Sequence, residues 1–242
     1  MPPEAGQIDA SSDAIIDVII PALDEEASIG QVIRALPPSV RRVIVVDNGS
    51  RDGTARVARD AGAVVVTEPR RGYGAACLAG IARLREDPAP PEIVAFLDGD
   101  YADDPRQLAD LTSPISRGEA DLVIGSRSLG EREPGALSPQ QRAGNAVAVL
   151  FIRALYGHRY TDLGPFRAIR FDRLLALGMR DPGYGWTVEM QVRALRRGLR
   201  VKEVPVAYRR RGTGHSKVSG TLRGTFGAGY KILLTIARHA FS

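Results

Sequence analysis

The sequence has a single cysteine, Cys77, so no disulfide can form within the chain of 242 residues. It also lacks any group of Cys and His residues at zinc-ligand spacing, which argues against a zinc domain. No secretory signal is visible, and no apolar run approaches the ~18–20 residues that span a bilayer. These absences predict a globular cytoplasmic protein that, where it meets a membrane, lies peripherally on the cytoplasmic face.

Lysine is scarce, occurring only at Lys202, Lys217 and Lys231, so arginine carries most of the positive charge. The 33 basic residues outnumber the 28 acidic ones and give a formal net charge of +5. Such an excess suits anionic partners such as phosphates or a membrane surface. No nucleic-acid partner is expected, because the basic stretch 209–217 lacks the interleaved aromatic side chains of a stacking platform.

Apolar runs alternate with amphipathic segments along most of the chain. The predicted strands are 17–21, 42–46, 63–66, 93–97, 121–124 and 199–208. The predicted helices are 25–36, 53–61, 72–86, 105–117, 138–156 and 187–198, and 160–170 is predicted to be a connection interrupted by Gly and Pro. This alternation predicts an α/β fold with a mostly parallel, doubly wound sheet flanked by helices.

Three regions follow from the same pattern. Residues 1–14 are polar and predict a flexible tail, while 15–219 predict the folded domain. Residues 220–242 predict a C-terminal amphipathic helix, with apolar side chains on several of its faces. That helix is expected to contact either a second subunit, as in a homodimer, or an anionic membrane surface.

The most informative segment is 93–100, in which a buried-strand pattern ends abruptly in Asp98-Gly99-Asp100. In open α/β sheets, ligands bind beyond the carboxyl ends of the strands. Two carboxylates placed there repel each other, and a cation that prefers oxygen ligands, Mg²⁺ or Mn²⁺, would offset this repulsion. Because magnesium combines one or two carboxylates with substrate phosphates, the segment predicts a metal-held diphosphate.

Three further loops allow both a structural and a functional interpretation. Residues 47–54 (DNGSRDGT) favour a strand-to-helix turn, and alternatively place the Asp47 carboxylate on a nucleobase N–H. The acids in 21–26 (PALDEE) favour the start of the next helix, and alternatively one of them binds a ribose or base. In 70–74 (RRGYG), the glycines let backbone N–H groups approach an anion, although such a pair of glycines is weak evidence alone.

Taken in order, these segments resemble the family 2 glycosyltransferases with the GT-A fold, over about residues 15 to 219. The first half of the resemblance is carried by PALDE, DNGSRDGT, RGYG, DGD and Gly125-Ser126-Arg127. The second half is similar to the polyprenyl-phosphate branch, the dolichyl-phosphate mannose synthase type. It is carried by Arg142 with Asn145, Gly185-Trp186 with Glu189, EVPV at 203–206, and Arg211 ahead of GHSK at 214–217.

The resemblance implies an inverting transfer of a hexose from a UDP- or GDP-sugar to an acceptor, with polyprenyl (dolichyl or undecaprenyl) phosphate as the expected one. It implies that Asp98 and Asp100 bind the metal. The implied catalytic residues are Asp100, Arg127, Glu189 and Arg211. The implied binding residues for the nucleotide sugar and its metal are Pro21, Ala22, Leu23, Asp24, Glu25, Asp47, Asn48, Gly72, Tyr73, Asp98, Gly99, Arg142, Asn145, Ser216 and Lys217.

The chain departs from the usual family pattern in two places. Asp47-Asn48 stands where the family has a pair of acids, and the usual Gln after the metal-binding acids is missing. Asp103 and Asp104 follow instead, and they are expected either to join the surroundings of the metal or to cap the next helix.

The acceptor decides whether a general base is needed. A lipid monophosphate is already anionic, whereas a sugar hydroxyl needs a carboxylate within hydrogen-bond reach, for which Glu189 and Asp162 are the candidates. Glu189 is equally well explained by an ion pair with Arg193, four residues further along a helix.

Three other functions compete with this one. The first is transfer to a soluble or saccharide hydroxyl, and the second is a non-catalytic module that binds nucleotide sugars. The third is a sugar-nucleotide pyrophosphorylase, against which residues 15–30 argue because they lack a Gly-rich loop with a Lys.

Overall fold

The computed structural model describes residues 14–210, which form one mixed α/β sheet with helices on both faces. The strands are β1 Ile16–Ala22, β2 Val40–Asp47, β3 Val64–Thr67, β4 Ile93–Phe96, β5 Leu122–Ser126, β6 Arg167–Arg170 and β7 Val201–Pro205. The helices are α1 Ile29–Ala35, α2 Thr54–Asp60, α3 Tyr73–Arg85, α4 Leu108–Ser116, α5 Pro139–Tyr156, α6 Phe171–Leu177 and α7 Trp186–Arg196. A single 3₁₀ turn, Pro105–Gln107, precedes α4.

The seven strands lie in the order β3-β2-β1-β4-β6-β5-β7, and four of the six neighbouring pairs are parallel. The predicted fold class is therefore confirmed. The two exceptions both involve β6, which runs antiparallel to β4 and to β5. Its first residue, Arg167, lies opposite Phe96 on one side and Ile124 on the other, so β6 begins where β4 and β5 end.

The prediction of a plain connection over 160–170 is wrong because it missed β6. The strand consists of Arg167-Ala168-Ile169-Arg170, whose two central apolar residues give no recognisable strand pattern. Helix α6 was also missed, although it ends at Gly178 in the left-handed conformation (φ 64°) that is common at helix C-termini.

Two predicted elements begin or end elsewhere. The predicted helix 25–36 begins only at Ile29, because the residues before it form a loop in which Asp24 has a φ of 49°. The predicted strand 199–208 is shortened to β7, and beyond Pro205 it continues only as isolated bridges from Tyr208 to Asp103 and to Arg132.

The predicted C-terminal helix, the end of the basic stretch and the predicted tail before Ala14 lie outside the described residues.

The sheet is buried on both faces. All four residues of β4 are buried, as expected for a central strand covered by helices. On one face Phe96 packs edge-on against Trp186 of α7, with ring centroids 4.7 Å apart. On the other face Ile20, Ala95 and Leu108 belong to a second apolar cluster beneath α1 and α4.

None of the helices within residues 14–210 combines the length and apolar character needed to cross a bilayer.

Helix α3 packs closely on β1 because it presents small residues to the sheet. A Cβ added at Gly80 would lie 2.7 Å from Cγ2 of Ile19, whereas one added at Gly144, on α5, would meet nothing within 4 Å. Both glycines are inside helices, so replacement by alanine improves helix propensity by up to about 1 kcal/mol at each.

We therefore expect Gly144→Ala to stabilise the protein and Gly80→Ala to be less stable than Gly144→Ala by about 1–3 kcal/mol, the cost of overpacking. The difference between the two variants cancels the shared gain in helix propensity. Urea unfolding monitored by circular dichroism measures it. Equal free energies of unfolding for the two variants would contradict the close packing of α3 on β1.

Candidate active site

Strands β1, β2, β4 and β5 all end at one edge of the sheet, and polar residues follow each of them. The segments are the 22–28 loop after β1, the 47–54 loop after β2, 97–104 after β4, and Arg127 after β5. Because β6 is antiparallel, the residues before it, 161–166, lie at the same edge. Most of the predicted site residues therefore come together there.

The loops after β1 and β2 are joined by hydrogen bonds between side chains and backbone. The Asp24 amide donates to Oγ of Ser50 (2.9 Å), and Oδ1 of Asp24 accepts from the Arg51 amide (2.7 Å). The Glu25 amide donates to Oγ1 of Thr54 (2.7 Å). These bonds hold the predicted nucleoside loop, Pro21 to Glu25, in a defined conformation against 47–54.

Asp47 and Asn48 have different roles in the turn after β2. Oδ1 of Asp47 accepts from the Ser50 amide (2.9 Å), and no described residue donates to its Oδ2. The Asn48 amide group donates to the carbonyls of Glu68 (2.9 Å) and Arg70 (2.8 Å), and its Oδ1 accepts from the Gly72 amide. Asn48 thus holds the loop before α3, while Asp47 retains an oxygen for a ligand.

The backbone that follows Gly72 and Tyr73 packs against the 181–183 segment. The amides of Gly74 and Ala75 donate to the carbonyls of Gly183 (3.2 Å) and Pro182 (2.9 Å). A Cβ at Gly74 would lie 2.0 Å from the Asp181 carbonyl oxygen, so only glycine permits this approach. The Tyr73 ring packs against Trp186, with centroids 6.1 Å apart.

The segment after β4 turns sharply at the predicted metal-binding acids. Asp100 is 6% exposed, and its Oδ1 accepts from the Ala102 amide (3.0 Å) across Tyr101, which has a φ of 61°. The Ser28 hydroxyl donates to the Gly99 carbonyl (2.7 Å) and ties the turn to the start of α1. The 98–100 backbone is therefore fixed from both sides.

Asp103 and Asp104, which follow this turn, occupy opposite environments. Asp104 caps the 3₁₀ turn, binds Arg106 and accepts from Nη2 of Arg209 (2.7 Å). The Arg106 guanidinium lowers the pKa of Asp104 to about 2. Asp103 is 2% exposed, and neither of its carboxylate oxygens has a hydrogen-bond partner among the described residues. Burial raises the pKa of Asp103 well above its ordinary value.

Arg127 and Asp162 form a bidentate ion pair at the end of β5. Nε and Nη2 of Arg127 donate to the two carboxylate oxygens of Asp162 at 2.7 and 2.8 Å, and the Arg127 amide donates to the same group. Although burial raises the pKa of Asp162, Arg127 outweighs that effect and holds the pKa below its ordinary value. No described residue accepts from Nη1 of Arg127, whose side chain is 14% exposed.

The turn that carries Asp162 is itself held in place by two further elements. Asn145, on α5, donates to the Thr161 carbonyl (3.2 Å) and accepts from the Leu163 amide (2.9 Å). Glu203, on β7, accepts from the amides of Thr161 and Asp162. Asn145 therefore acts on the site by positioning this turn.

Arg167 is a functional candidate that the sequence analysis missed. It is fully buried, donates to the carbonyls of Thr187 (2.8 Å) and Gly164, and connects the 163–164 turn to the start of α7. Burial lowers the pKa of its guanidinium, and no carboxylate within residues 14–210 forms an ion pair with it. The only sequence signal is an arginine directly after the apolar Phe166, which is insufficient to predict burial.

Glu189 is buried beneath the 180–183 loop. It is 2% exposed, and it accepts from the amides of Arg180 and Asp181 and from Nε of Arg193 (2.9 Å). The alternative of an ion pair with Arg193 is thus observed. This carboxylate positions the loop that packs on α3.

The remaining predicted residues divide into two groups. Arg142 is exposed on the first turns of α5, beside a shallow pocket that Arg132, Pro134 and Leu137 also line. Arg211, Ser216 and Lys217 lie outside the described residues.

Within residues 14–210, buried and half-buried carboxylates outnumber largely buried guanidinium groups at this edge. Asp98, Asp100, Asp103 and Asp162 share it with two largely buried arginines, Arg127 and Arg167. Among residues 14–210, no three His, Cys, Asp or Glu side chains are grouped so that they could hold a metal unaided. Two carboxylates completed by water and substrate phosphates are nevertheless the ligand set typical of Mg²⁺, and the acidic excess fits a divalent cation.

Comparisons with known proteins identify sequences related to this chain. The family model described as glycosyl transferase family 2 matches residues 17–178. An uncharacterised glycosyltransferase of Mycobacterium tuberculosis is 40% identical over 212 residues, covering 87% of this chain and 92% of that protein. An undecaprenyl-phosphate mannosyltransferase of Micrococcus luteus is 32% identical over 220 residues, covering 85% of this chain and 88% of that protein.

The fold is also shared with solved structures. The crystal structure of glucosyl-3-phosphoglycerate synthase from M. tuberculosis superimposes with a TM-score of 0.73 at 25% identity, covering 94% of this chain and 81% of that chain. The same synthase has been crystallised with Mn²⁺ and UDP-glucose (TM-score 0.73, 24% identity, covering 94% of this chain and 79% of that chain). The expected GT-A fold is confirmed.

The Arg127–Asp162 pair gives a direct test of the site's architecture. We expect Asp162→Asn to lower the free energy of unfolding by about 3–5 kcal/mol, because it leaves a largely buried guanidinium without its partner. Asp172→Asn is the matched control, since the Arg170–Asp172 pair is 3.2 Å long but its side chains are 44% and 57% exposed. That change should cost no more than about 1 kcal/mol. Equal costs in guanidinium chloride unfolding would contradict the assigned pairing.

Proposed function

This chain belongs to glycosyl transferase family 2, and we propose that it transfers a hexose, with inversion, from a UDP- or GDP-sugar to a polyprenyl phosphate. The observation that carries the choice of acceptor is the state of Glu189 and Asp162. Both carboxylates are occupied by hydrogen bonds that position the surrounding chain.

The donor half of the proposal rests on the strand ends. Asp98 and Asp100 would hold a divalent cation, which supplies Lewis-acid stabilisation of the departing nucleoside diphosphate. Asp47 retains a carboxylate oxygen for the nucleoside, and Nη1 of Arg127 can donate to a phosphate oxygen. The Mn²⁺ and UDP-glucose bound by the structurally similar synthase support this choice of donor.

The acceptor half follows from the chemistry of attack. A hydroxyl acceptor needs a base that removes its proton, and a carboxylate already accepting several hydrogen bonds is a weak one. Asp162 is held by Arg127 and the Leu163 amide, and Glu189 by two backbone amides and Arg193. A phosphate monoester attacks as an anion and needs no base. The similarity to an undecaprenyl-phosphate mannosyltransferase supports the same acceptor.

Helix α5 supports an acceptor that is presented by a membrane. It carries Asn145, which holds the turn of Asp162, and further along it an exposed apolar stripe of Val147, Leu150, Phe151 and Leu155. These four side chains are 43%, 61%, 45% and 42% exposed, and only Ala148 and Ile152 of the helix are buried. A helix with this pattern can lie in the plane of a membrane interface, which would place the site beside a lipid phosphate.

The acceptor assignment predicts a specific pH dependence. We expect the purified chain, given Mn²⁺ and a panel of UDP- and GDP-hexoses, to glycosylate undecaprenyl phosphate with a rate that stays flat above about pH 6.5, because the phosphate is then already ionised (second pKa about 6). Glu189→Gln should keep that plateau, and Asp100→Asn should lose transfer while remaining folded.

Removal of a general base would instead cost about 10²–10⁴ in rate and eliminate the pH dependence that the base causes. Transfer to saccharide hydroxyls alone, with such a loss in Glu189→Gln, would contradict the proposal. The assay separates labelled lipid from labelled soluble sugar by solvent extraction.

The apolar stripe predicts membrane association. We expect Leu150→Ser combined with Phe151→Ser to weaken sedimentation with anionic vesicles by about tenfold or more, since each buried apolar side chain contributes roughly 1.5–3 kcal/mol. Leu175→Ser is the matched control, because Leu175 is 40% exposed on a different helix, α6. Unchanged sedimentation of the double variant, or an equal loss in the control, would show that the stripe is not the membrane contact.

A further inference from the structure

Asp103 has an unusual environment for a charged side chain. It is 2% exposed, and both carboxylate oxygens are buried without any hydrogen-bond donor among the described residues. Buried carboxylates are normally paired or hydrogen-bonded, because an unpaired one loses its hydration without compensation. A group that the chain binds at this site can supply the missing donors.

The position of Asp103 is fixed by its neighbours. Its backbone pairs with Tyr208 in an isolated bridge, and the Ala102 carbonyl accepts from the Arg209 amide (2.8 Å). Tyr208 in turn lies under the Arg127 guanidinium, which is 5.1 Å from the ring centroid. Asp103 therefore does not swing out to solvent as a surface side chain would.

The charges around Asp103 identify the kind of donor. Burial is the largest cause of the raised pKa of Asp103; the Arg127 guanidinium lowers this pKa, and the carboxylates of Asp98, Asp100 and Asp162 raise it further. A neutral sugar hydroxyl would donate a hydrogen bond but would not reduce the repulsion between Asp103 and the neighbouring carboxylates. Water molecules bound to a divalent cation offer both strongly polarised donors and the compensating charge.

We propose that Asp103 is a positioning residue of the cation site, whose carboxylate accepts hydrogen bonds from water ligands of the divalent cation held by Asp98 and Asp100. This inference rests on the proposed function. It distinguishes Asp103 from Asp104, whose carboxylate is already used by Arg106 and Arg209. Groups that bind the ligands of a metal commonly affect its affinity by about 10–100-fold.

The test measures Mn²⁺ binding to the full chain in the presence of UDP, using the electron paramagnetic resonance signal of free Mn²⁺. We expect Asp103→Asn to raise the Mn²⁺ dissociation constant about 10–100-fold. Asp104→Asn, the matched control, should change it by less than about twofold, because that side chain faces arginines.

Thermal unfolding without metal excludes a purely structural role. Asp103→Asn and Asp103→Leu should melt at or above the temperature of the unaltered protein, because each removes a buried carboxylate that has no partner in the protein. If both variants are less stable or fail to fold, the carboxylate has a structural role and the inference is wrong.

Three other outcomes are equally decisive. Unchanged Mn²⁺ affinity in Asp103→Asn overturns this inference alone and leaves the proposed function intact. Asp103→Asn could also keep its Mn²⁺ affinity but bind the UDP-sugar more weakly than UDP. That result would assign the carboxylate to the sugar and would also overturn the inference. If the unaltered chain binds no Mn²⁺ with UDP, the proposed function fails together with the inference.

Discussion

Negative charge buried at one edge of the sheet is the constraint around which this structure is arranged. Asp100, Asp103 and Asp162 are buried there beside the half-buried Asp98, and among residues 14–210 two largely buried guanidiniums, Arg127 and Arg167, oppose them. Burial of several carboxylates at one place is unfavourable, so such an arrangement is expected at a functional site that binds a cation. Burial, to which the neighbouring carboxylates add, raises the pKa of Asp103, whereas the bidentate pair with Arg127 keeps the pKa of Asp162 low.

The antiparallel strand β6 is what brings the two halves of the site together. An all-parallel sheet would place the residues before this strand at the opposite edge, far from the ends of β4 and β5. Because β6 runs the other way, Asp162 reaches Arg127, and Arg167 begins the strand between Phe96 and Ile124. Asn145 and Glu203 then fix the 161–163 turn from either side. Positioning of this kind, more than additional acid–base groups, suits an acceptor that is already ionised.

Sequence reasoning succeeded where a local pattern determines the structure. The buried run before Asp98 and the turn residues around Asp47 predicted both the strand ends and the edge at which they meet. It failed where long-range contacts decide: Arg167-Ala168-Ile169-Arg170 has no strand pattern, yet pairs with two neighbours. It also could not separate Asp103 from Asp104, since adjacent acids look alike until burial and arginine partners are known. Nor does any sequence pattern indicate that Gly72 and Gly74 admit the carbonyls of Pro182 and Asp181.

The central claim is that the acids after β4 hold the cation that stabilises the departing diphosphate. The most direct measurement is an anomalous difference map from crystals of the chain grown with Mn²⁺ and UDP. The account predicts one strong manganese peak in contact with the carboxylates of Asp98 and Asp100 and with the diphosphate. A bound nucleotide with no manganese between it and these two carboxylates would contradict the account.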